Sequence, residues 1–283
     1  SGQLRSPGIM PATVEKAAKI FQKYVALLTD VTLPIIYDMY SVHTEKEIAI
    51  GGVDRAYDDT YGASYQEEEY QIKTCDGHLI INGGVRGILY GVYAFLEECL
   101  GVRFFTATCE RVLYQDRIDV SAIDKRFNPP FEYRDLCHWN IFDTEFSVKS
   151  KINGTFVRKL REEDGYGVGF TGGMDGLVHS YSLFCPPDKY FYAHPEYYAL
   201  IDGKRDAGDH VEWQLCLSNP DIVPIAVENI RKILKENPNK KIVSISQNDN
   251  INHCQCEECL KIDKEEGSPV GAIIRFVNKI AEI

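Results

Sequence analysis

The chain has 283 residues and a formal net charge of −11. Hydrophobic residues at 44% and charged residues at 26% supply both a core and a solvated surface, which excludes a disordered chain. The acidic balance argues against a general nucleic-acid binder, which carries a basic footprint. No apolar run reaches the length of a membrane span.

The opening residues SGQLRSPGIMP contain no apolar signal-peptide core. Ser1 and Gly2 read as an expression scar, so a leader removed upstream would leave no trace. Residues Ala12 to Leu28 then predict a helix, with an apolar stripe at Ala17, Ile20, Phe21, Tyr24 and Leu27/Leu28. TLPIIYDMY and KEIAIGG follow as strand-like runs. EEYQIKTCDGHLIINGG predicts a hairpin, because Asp76-Gly77 tolerates the positive φ of a tight turn. In GVRGILYGVYAFLEECLGVRFF, the residues Ile88, Val92, Phe95, Leu96 and Cys99 form one helical face, and Gly101 suits its C-terminal end. Pro129-Pro130 marks a boundary. Residues 1–130 therefore read as a small α+β domain.

Residues 131–283 change character. Four strand candidates are Phe131 to Leu136, Leu177 to Leu183, Gln214 to Ser218 and Lys241 to Ser246. An amphipathic helix lies between the last two, with Asn219 as its cap and Pro220 at its first turn. Strand, helix and strand make a βαβ unit and imply parallel pairing. A final helix starts with Ser268 as cap and Pro269. Polar residues sit within or follow each strand, as at the rim of a β/α barrel. An open doubly wound sheet would gather ligand groups in the same way, but no Gly-rich phosphate loop accompanies it. Eight strands typically take ~250 residues. The expected fold is thus α/β: an α+β N-terminal domain, then a (β/α)8 TIM-barrel domain at 131–283 that stops about halfway. Self-association could complete such a barrel.

The runs HPEYYALIDGKR, WQLCLSNPDIVPIAVENIRKIL, IVSISQNDNINHCQCEECLKIDKEEGSPVGAIIRFVN and GVRGILYGVYAFLEECLGVRFF resemble the alpha-glucuronidase-like bacterial glycoside hydrolases. Some relatives of that group act as endo-β-N-acetylglucosaminidases. The resemblance runs from about Ala12 to the end and is most specific over Gln214 to Phe276. It implies the two-domain architecture above, a glycan substrate and no required cofactor. It also places a general acid just past the fourth barrel strand, which makes Asp249 the catalytic candidate. Glycoside hydrolysis needs a carboxylic acid to protonate the leaving oxygen, and a second group on the sugar's other face. Asn248 stands where hexosaminidase-like sites have a second acid; it is suited to orient an acetamido or hydroxyl group. The plain alternative is that NDN is a polar turn.

Further substrate-binding candidates are Arg134, Asp135, His138 and Trp139, where a ring beside hydrogen-bonding groups suits a sugar. Arg134 would pair with a uronate carboxylate. Against this, Trp139 could be core and Arg134-Asp135 a local ion pair. His179 reads equally as a sugar contact or a hydrogen-bonded core histidine.

The nine cysteines are an odd number. Cys75, Cys99, Cys109, Cys137, Cys185 and Cys216 are scattered, mostly among apolar neighbours, and read as small buried hydrophobes in a reducing compartment. That favours the cytoplasm, with a secreted or periplasmic location open if a signal peptide was removed. Cys254, Cys256 and Cys259 form C-x-C-x₂-C beside His253. The trio with His253 or a distant residue could hold a structural zinc; a disulfide or free thiols are the alternatives. QEEE at Gln66 to Glu69 and DKEEG at Asp263 to Gly267 read as solvated charge runs. Two function classes result: a glycoside hydrolase, or its N-terminal part, and a non-catalytic carbohydrate-binding or zinc-stapled module.

Overall fold

The computed structural model describes residues 11–37, 45–155, 160–169, 178–207, 213–238, 240 and 242–283. Asp38 to Tyr40, Leu177 and Lys241, which the predicted strands include, lie outside these residues. The chain divides into two compact units, Ser1–Val168 and Gly169–Ile283. The described elements mix helices with small sheets in an α+β arrangement. No helix among them is long and apolar enough to cross a membrane.

The first unit begins with α1 (Ala12–Thr29), β1 (Ile48–Ile50), β2 (Tyr70–Cys75), β3 (His78–Gly83) and α2 (Gly87–Glu98). It continues with β4 (Arg103–Thr106), β5 (Cys109–Arg111), β6 (Asp124–Phe127) and α3 (Thr144–Lys149). The sheet order is β1-β3-β2-β6, with β1 parallel to β3 and the other pairs antiparallel. The predicted hairpin forms: Cys75 pairs with His78 across Asp76 and Gly77, whose φ values are 50° and 83°. Alternation along β2 and β3 turns Tyr70, Ile72, Leu79 and Ile81 into the core, where α1 and α2 cover them. The α1 stripe is buried as expected at Ala17, Ile20, Phe21, Tyr24 and Leu28, with Leu27 turned outward. α2 is buried from Gly87 through Leu96 and runs through the middle of this core. A Cβ on Gly91 would lie 3.0 Å from Ile81 Cγ2, so glycine sets how closely α2 approaches the sheet.

Phe131 to Leu136 is not a strand, and residues 131–168 pack within the first unit. Their backbone is tied locally: Gly154 N–H donates to Arg134 O (2.9 Å), and Asn153 Oδ1 accepts from Arg134 N–H (2.8 Å).

The second unit contains α4 (Tyr181–Phe184), α5 (Pro187–Tyr190), β7 (Leu200–Ile201), β8 (Lys204–Arg205), α6 (Ile222–Glu236), α7 (Glu257–Glu266) and α8 (Val270–Ala281). Ile222, Ala226, Val227 and Ile230 of α6 and Phe276 and Ile280 of α8 bury against Tyr181, Tyr198, Trp213 and Leu215. The other strand predictions need correction here. Leu183 belongs to α4, and Val178 to Ser180 form a bend and turn. Gln214 to Ser218 contributes one antiparallel bridge, Leu215 to Tyr198. Ile242 to Ser246 forms no named strand. Strand assignment requires a continuous backbone ladder, and these segments are joined mostly through side chains and single bridges. The parallel βαβ pairing is therefore not formed among the described residues. α6 starts two residues later than its cap signal, because Asn219 Oδ1 accepts from Asp221 N–H (3.0 Å) in a turn ahead of the helix.

Candidate functional site

In the first unit, the charge run at Gln66 to Glu69 hides a buried carboxylate. Glu68 is 7% exposed. It accepts from Arg86 Nε (2.9 Å), Asn153 Nδ2 (2.9 Å) and Tyr90 Oη (3.2 Å), and pairs with Arg134 (2.8 Å). Burial pushes its pKa up, but Arg134, Arg86 and Asn153 outweigh burial and hold the carboxyl below the ordinary glutamate value. Arg134 also donates to Lys151 O (2.7 Å) and Phe131 O. Its partner is therefore Glu68, not Asp135. Asp135 accepts from Tyr133 Oη and Leu136 N–H, both at 2.9 Å. His138 is exposed and accepts from Asn140 N–H (3.4 Å) through Nδ1. Trp139 is 81% exposed, with its ring edge-on to Phe142, so it is not a core residue.

In the second unit, three segments that the sequence marks as strands meet through polar residues. His179 Nδ1 lies 3.2 Å from Gln247 O, and Ser180 N–H donates to Ser246 O (3.1 Å). His179 sits in the left-handed region (φ 55°), which turns the chain sharply there. Gln214 Nε2 donates to Asn248 O and Asn250 Oδ1, both at 2.9 Å, and Gln214 Oε1 accepts from Asn248 N–H (3.1 Å). Asn248 is buried, and its Nδ2 donates to Trp213 O (2.6 Å). Asn248 and Asn250 are thus fixed on either side of Asp249, whose side chain is exposed. A cavity of about 240 Å³ opens here, lined by Tyr181, Gln214, Gln247, Asn252, His253 and Asp263 among others. Asp249 is not part of its lining, although its neighbours Gln247 and Asn250 are. His253 Nε2 stands 3.9 Å from Asp263 Oδ2.

The same cavity wall includes Cys254 and Cys259. Their sulfurs belong to a group of four with Cys256 and Cys216, all within 4.8 Å of one another. Among the described residues this is the one such cluster of cysteine, histidine and carboxylate ligand atoms. By its sequence position Cys216 reads as an ordinary apolar-site cysteine; the bridge of Leu215 to Tyr198 brings it to the trio. Its place in WQLCLS gives no local sign of this, because the partners come from a distant loop. Cys256 occupies the position just before α7, without a side-chain capping bond, and Cys259 lies in the helix's first turn. Leu200 N–H donates to Cys254 Sγ (3.3 Å), and Ser218 Oγ lies 3.1 Å from Cys259 Sγ and 3.5 Å from both Cys216 and Cys256. The Cys254 and Cys259 thiols facing Cys216 hold its thiol well below the usual cysteine range. In return, Cys216 pushes the Cys254 thiol up to about 11, and the Cys259 thiol higher still. Four sulfurs so close favour one charge among them and resist more, unless a cation shares the site.

No curated protein matches the chain. Among solved structures, one described as a novel family GH115 4-O-methyl-alpha-glucuronidase, BtGH115A, with specificity for decorated arabinogalactans, aligns over 98% of this chain at 13% identity and a TM-score of 0.47. The alignment spans 39% of that enzyme's chain. Residues 104–283 match the family described as a domain of unknown function, DUF4838. That match takes in the whole cysteine cluster and the anchored Gln247–Asn250 segment, and the chain belongs to the DUF4838 family.

Proposed function

We propose that the chain is part of a glycoside hydrolase acting on a hexosaminide- or uronide-containing glycan, with Asp249 as the general acid. The observation that carries this reading is the anchoring of residues 247–250. Gln214 fixes Asn248 and Asn250, and Trp213 O holds the Asn248 amide, so the exposed Asp249 carboxylate projects from a pinned segment. General acid catalysis needs this: a proton donor held in place against a leaving oxygen, not one on a freely moving loop. Gln247 and Asn250 bring the flanks of Asp249 to the cavity, where polar groups meet a wall that is otherwise largely apolar. In this reading Asn248 positions the acid through its buried amide, and His179 braces Gln247. A (β/α)8 barrel belongs to the same proposal, as an architecture that collects catalytic groups at one rim.

The test compares wild type with Asp249→Asn in the intact gene product, on glycosides with a natural sugar leaving group and with an activated aryl leaving group. Loss of the acid should cut turnover of the natural substrate by about 10²–10⁴-fold. The activated substrate, whose leaving group departs without a proton, should lose far less. Equal losses on both, or none on the first, would reject Asp249 as the acid. A second reading, carbohydrate binding without hydrolysis, draws on the exposed Trp139 ring. It predicts glycan affinity that Trp139→Ala abolishes and no turnover by either form.

A further inference from the structure

We infer that Cys216, Cys254, Cys256 and Cys259 form a closed mononuclear zinc site that staples the cavity wall of the second unit. This inference stands on the sulfur geometry and is independent of the hydrolase reading.

A tetrahedral tetrathiolate site with Zn–S near 2.3 Å has sulfur–sulfur edges of about 3.8 Å. Here all four sulfurs lie within 4.8 Å of one another, and Cys216 and Cys256 are 3.6 Å apart. The arrangement is one compact group, not two separate pairs, and all four cysteines are unbonded to one another. Disulfides would pull the group into pairs, with sulfurs about 2 Å apart. Iron–sulfur clusters spread their cysteine ligands around several iron atoms, and this spacing suits a single shared ion.

The surroundings favour thiolates over thiols. Leu200 N–H points at Cys254 Sγ, and the Ser218 hydroxyl, which has one proton to donate, lies within 3.1–3.5 Å of the Cys216, Cys256 and Cys259 sulfurs. α7, a ten-residue helix, begins at Glu257 directly after Cys256, and its first-turn N–H groups lie beside Cys256 and Cys259. The Arg205 guanidinium faces Cys216. Such donors around sulfur ligands disperse the net charge of a zinc tetrathiolate, which is formally −2. Four protein ligands leave no open position, so the ion is structural and takes no part in hydrolysis.

The site joins two stretches of chain, the Cys216 segment and the continuous Cys254–Cys259 loop and helix start, between which no backbone bond is seen among the described residues. Cys216 comes from the segment after the Tyr198 bridge, Cys254 and Cys256 from the loop, and Cys259 from α7. Gln255 N–H donates to Leu200 O (2.7 Å), and Gln255 Oε1 accepts from Asp202 N–H (2.9 Å), so the loop is docked on the β7–β8 hairpin beside the ion. Cys254 and Cys259 line the cavity together with His253 and Asn252. The ion therefore fixes the wall that continues into the Asp249 segment.

The experiment measures metal content of the 283-residue chain, purified with an affinity tag that uses no metal and then dialysed. The expected result is one zinc per chain, released stoichiometrically by a mercurial thiol reagent, and no visible colour. Cys216→Ser should lose the zinc, whereas Cys137→Ser, exposed in the first unit, should keep it. If Cys216→Ser does not fold, cobalt replacement in the wild type decides. A tetrahedral tetrathiolate gives strong visible ligand-field bands and near-ultraviolet charge transfer scaled to four sulfurs. Iron in place of zinc, a thiol count lowered by disulfides, nine reactive thiols with no bound metal, or a cobalt spectrum with fewer than four thiolates each overturns the inference.

Discussion

Replacing Glu68 by glutamine keeps the shape of the side chain and removes its charge. The structure makes this costly. Arg86 is 5% exposed, and the Arg134 side chain is 16% exposed. Both guanidinium groups direct N–H bonds at Glu68, at 2.9 and 2.8 Å. Arg86 retains Glu67 (2.8 Å), which is itself largely solvated. Arg134 retains only carbonyl partners, and its Nη2 already has no hydrogen bond. Breaking a buried ion pair from one side costs about 3–5 kcal/mol, because the remaining charge stays desolvated. Glu68→Gln should therefore destabilise the first unit by about that amount at neutral pH. With a shift of about 2–4 °C per kcal/mol for a unit of this size, its thermal midpoint should fall by roughly 10 °C. Acid must erase the difference. The folded-state pKa of Glu68 is depressed, so its stabilisation is present above the unfolded glutamate value of 4.5 and is lost as pH falls through the folded value. Urea unfolding of wild type and Glu68→Gln at neutral pH and near pH 3 measures both quantities. A neutral-pH loss under about 1 kcal/mol, or a gap that widens in acid, would refute the buried-hub argument.

Other substitutions probe the scaffold around the same features. Gly87→Ala would place a Cβ 1.9 Å from Glu69 O, a backbone atom that cannot swing aside, so calorimetry should register a loss of at least the ~1–3 kcal/mol of ordinary overpacking. Gly91→Ala, whose new methyl meets only side chains at 3.0 Å and beyond, should cost less in the same scan. Asn248→Ala removes the donor to Trp213 O and leaves a buried carbonyl unpaired, at about 1–3 kcal/mol by urea unfolding of the second unit. It should also loosen the Asp249 segment, read as faster amide exchange at residues 247–250.

Sequence patterns made part of this architecture legible. The α1 stripe, the Asp76-Gly77 hairpin and the α2 core helix follow from local periodicity and turn chemistry, and all three form as expected. The C-x-C-x₂-C trio was visible for the same reason: its members are near neighbours in the chain. Cys216 was not, because its approach depends on the Tyr198–Leu215 bridge, a tertiary event without a spacing rule. Glu68 was hidden similarly. Flanked by Glu67 and Glu69, it resembles a solvated run, and only the fold brings Arg86, Arg134 and Asn153 around it. The strand predictions of the second half relied on apolar runs, which report burial more directly than pairing. Three of those segments, all in the second unit, are partly buried and do meet, but through Gln214, Ser180 and Asn248 instead of a ladder.

The stretch Trp213-Gln214-Leu215-Cys216 divides four duties among four consecutive positions. Trp213 gives its carbonyl to Asn248, Gln214 clamps the Asp249 segment, Leu215 enters the core and Cys216 joins the sulfur cluster. Adjacent side chains of extended backbone face opposite ways, so a shift of one residue would exchange every assignment at once. Deleting or inserting a single amino acid there would put an amide where a leucine must pack and an apolar group where a thiolate must stand. Length at this point is consequently as constrained as chemistry. Among relatives that keep both the clamp and the cluster, insertions and deletions should collect in the loops on either side and spare these four residues.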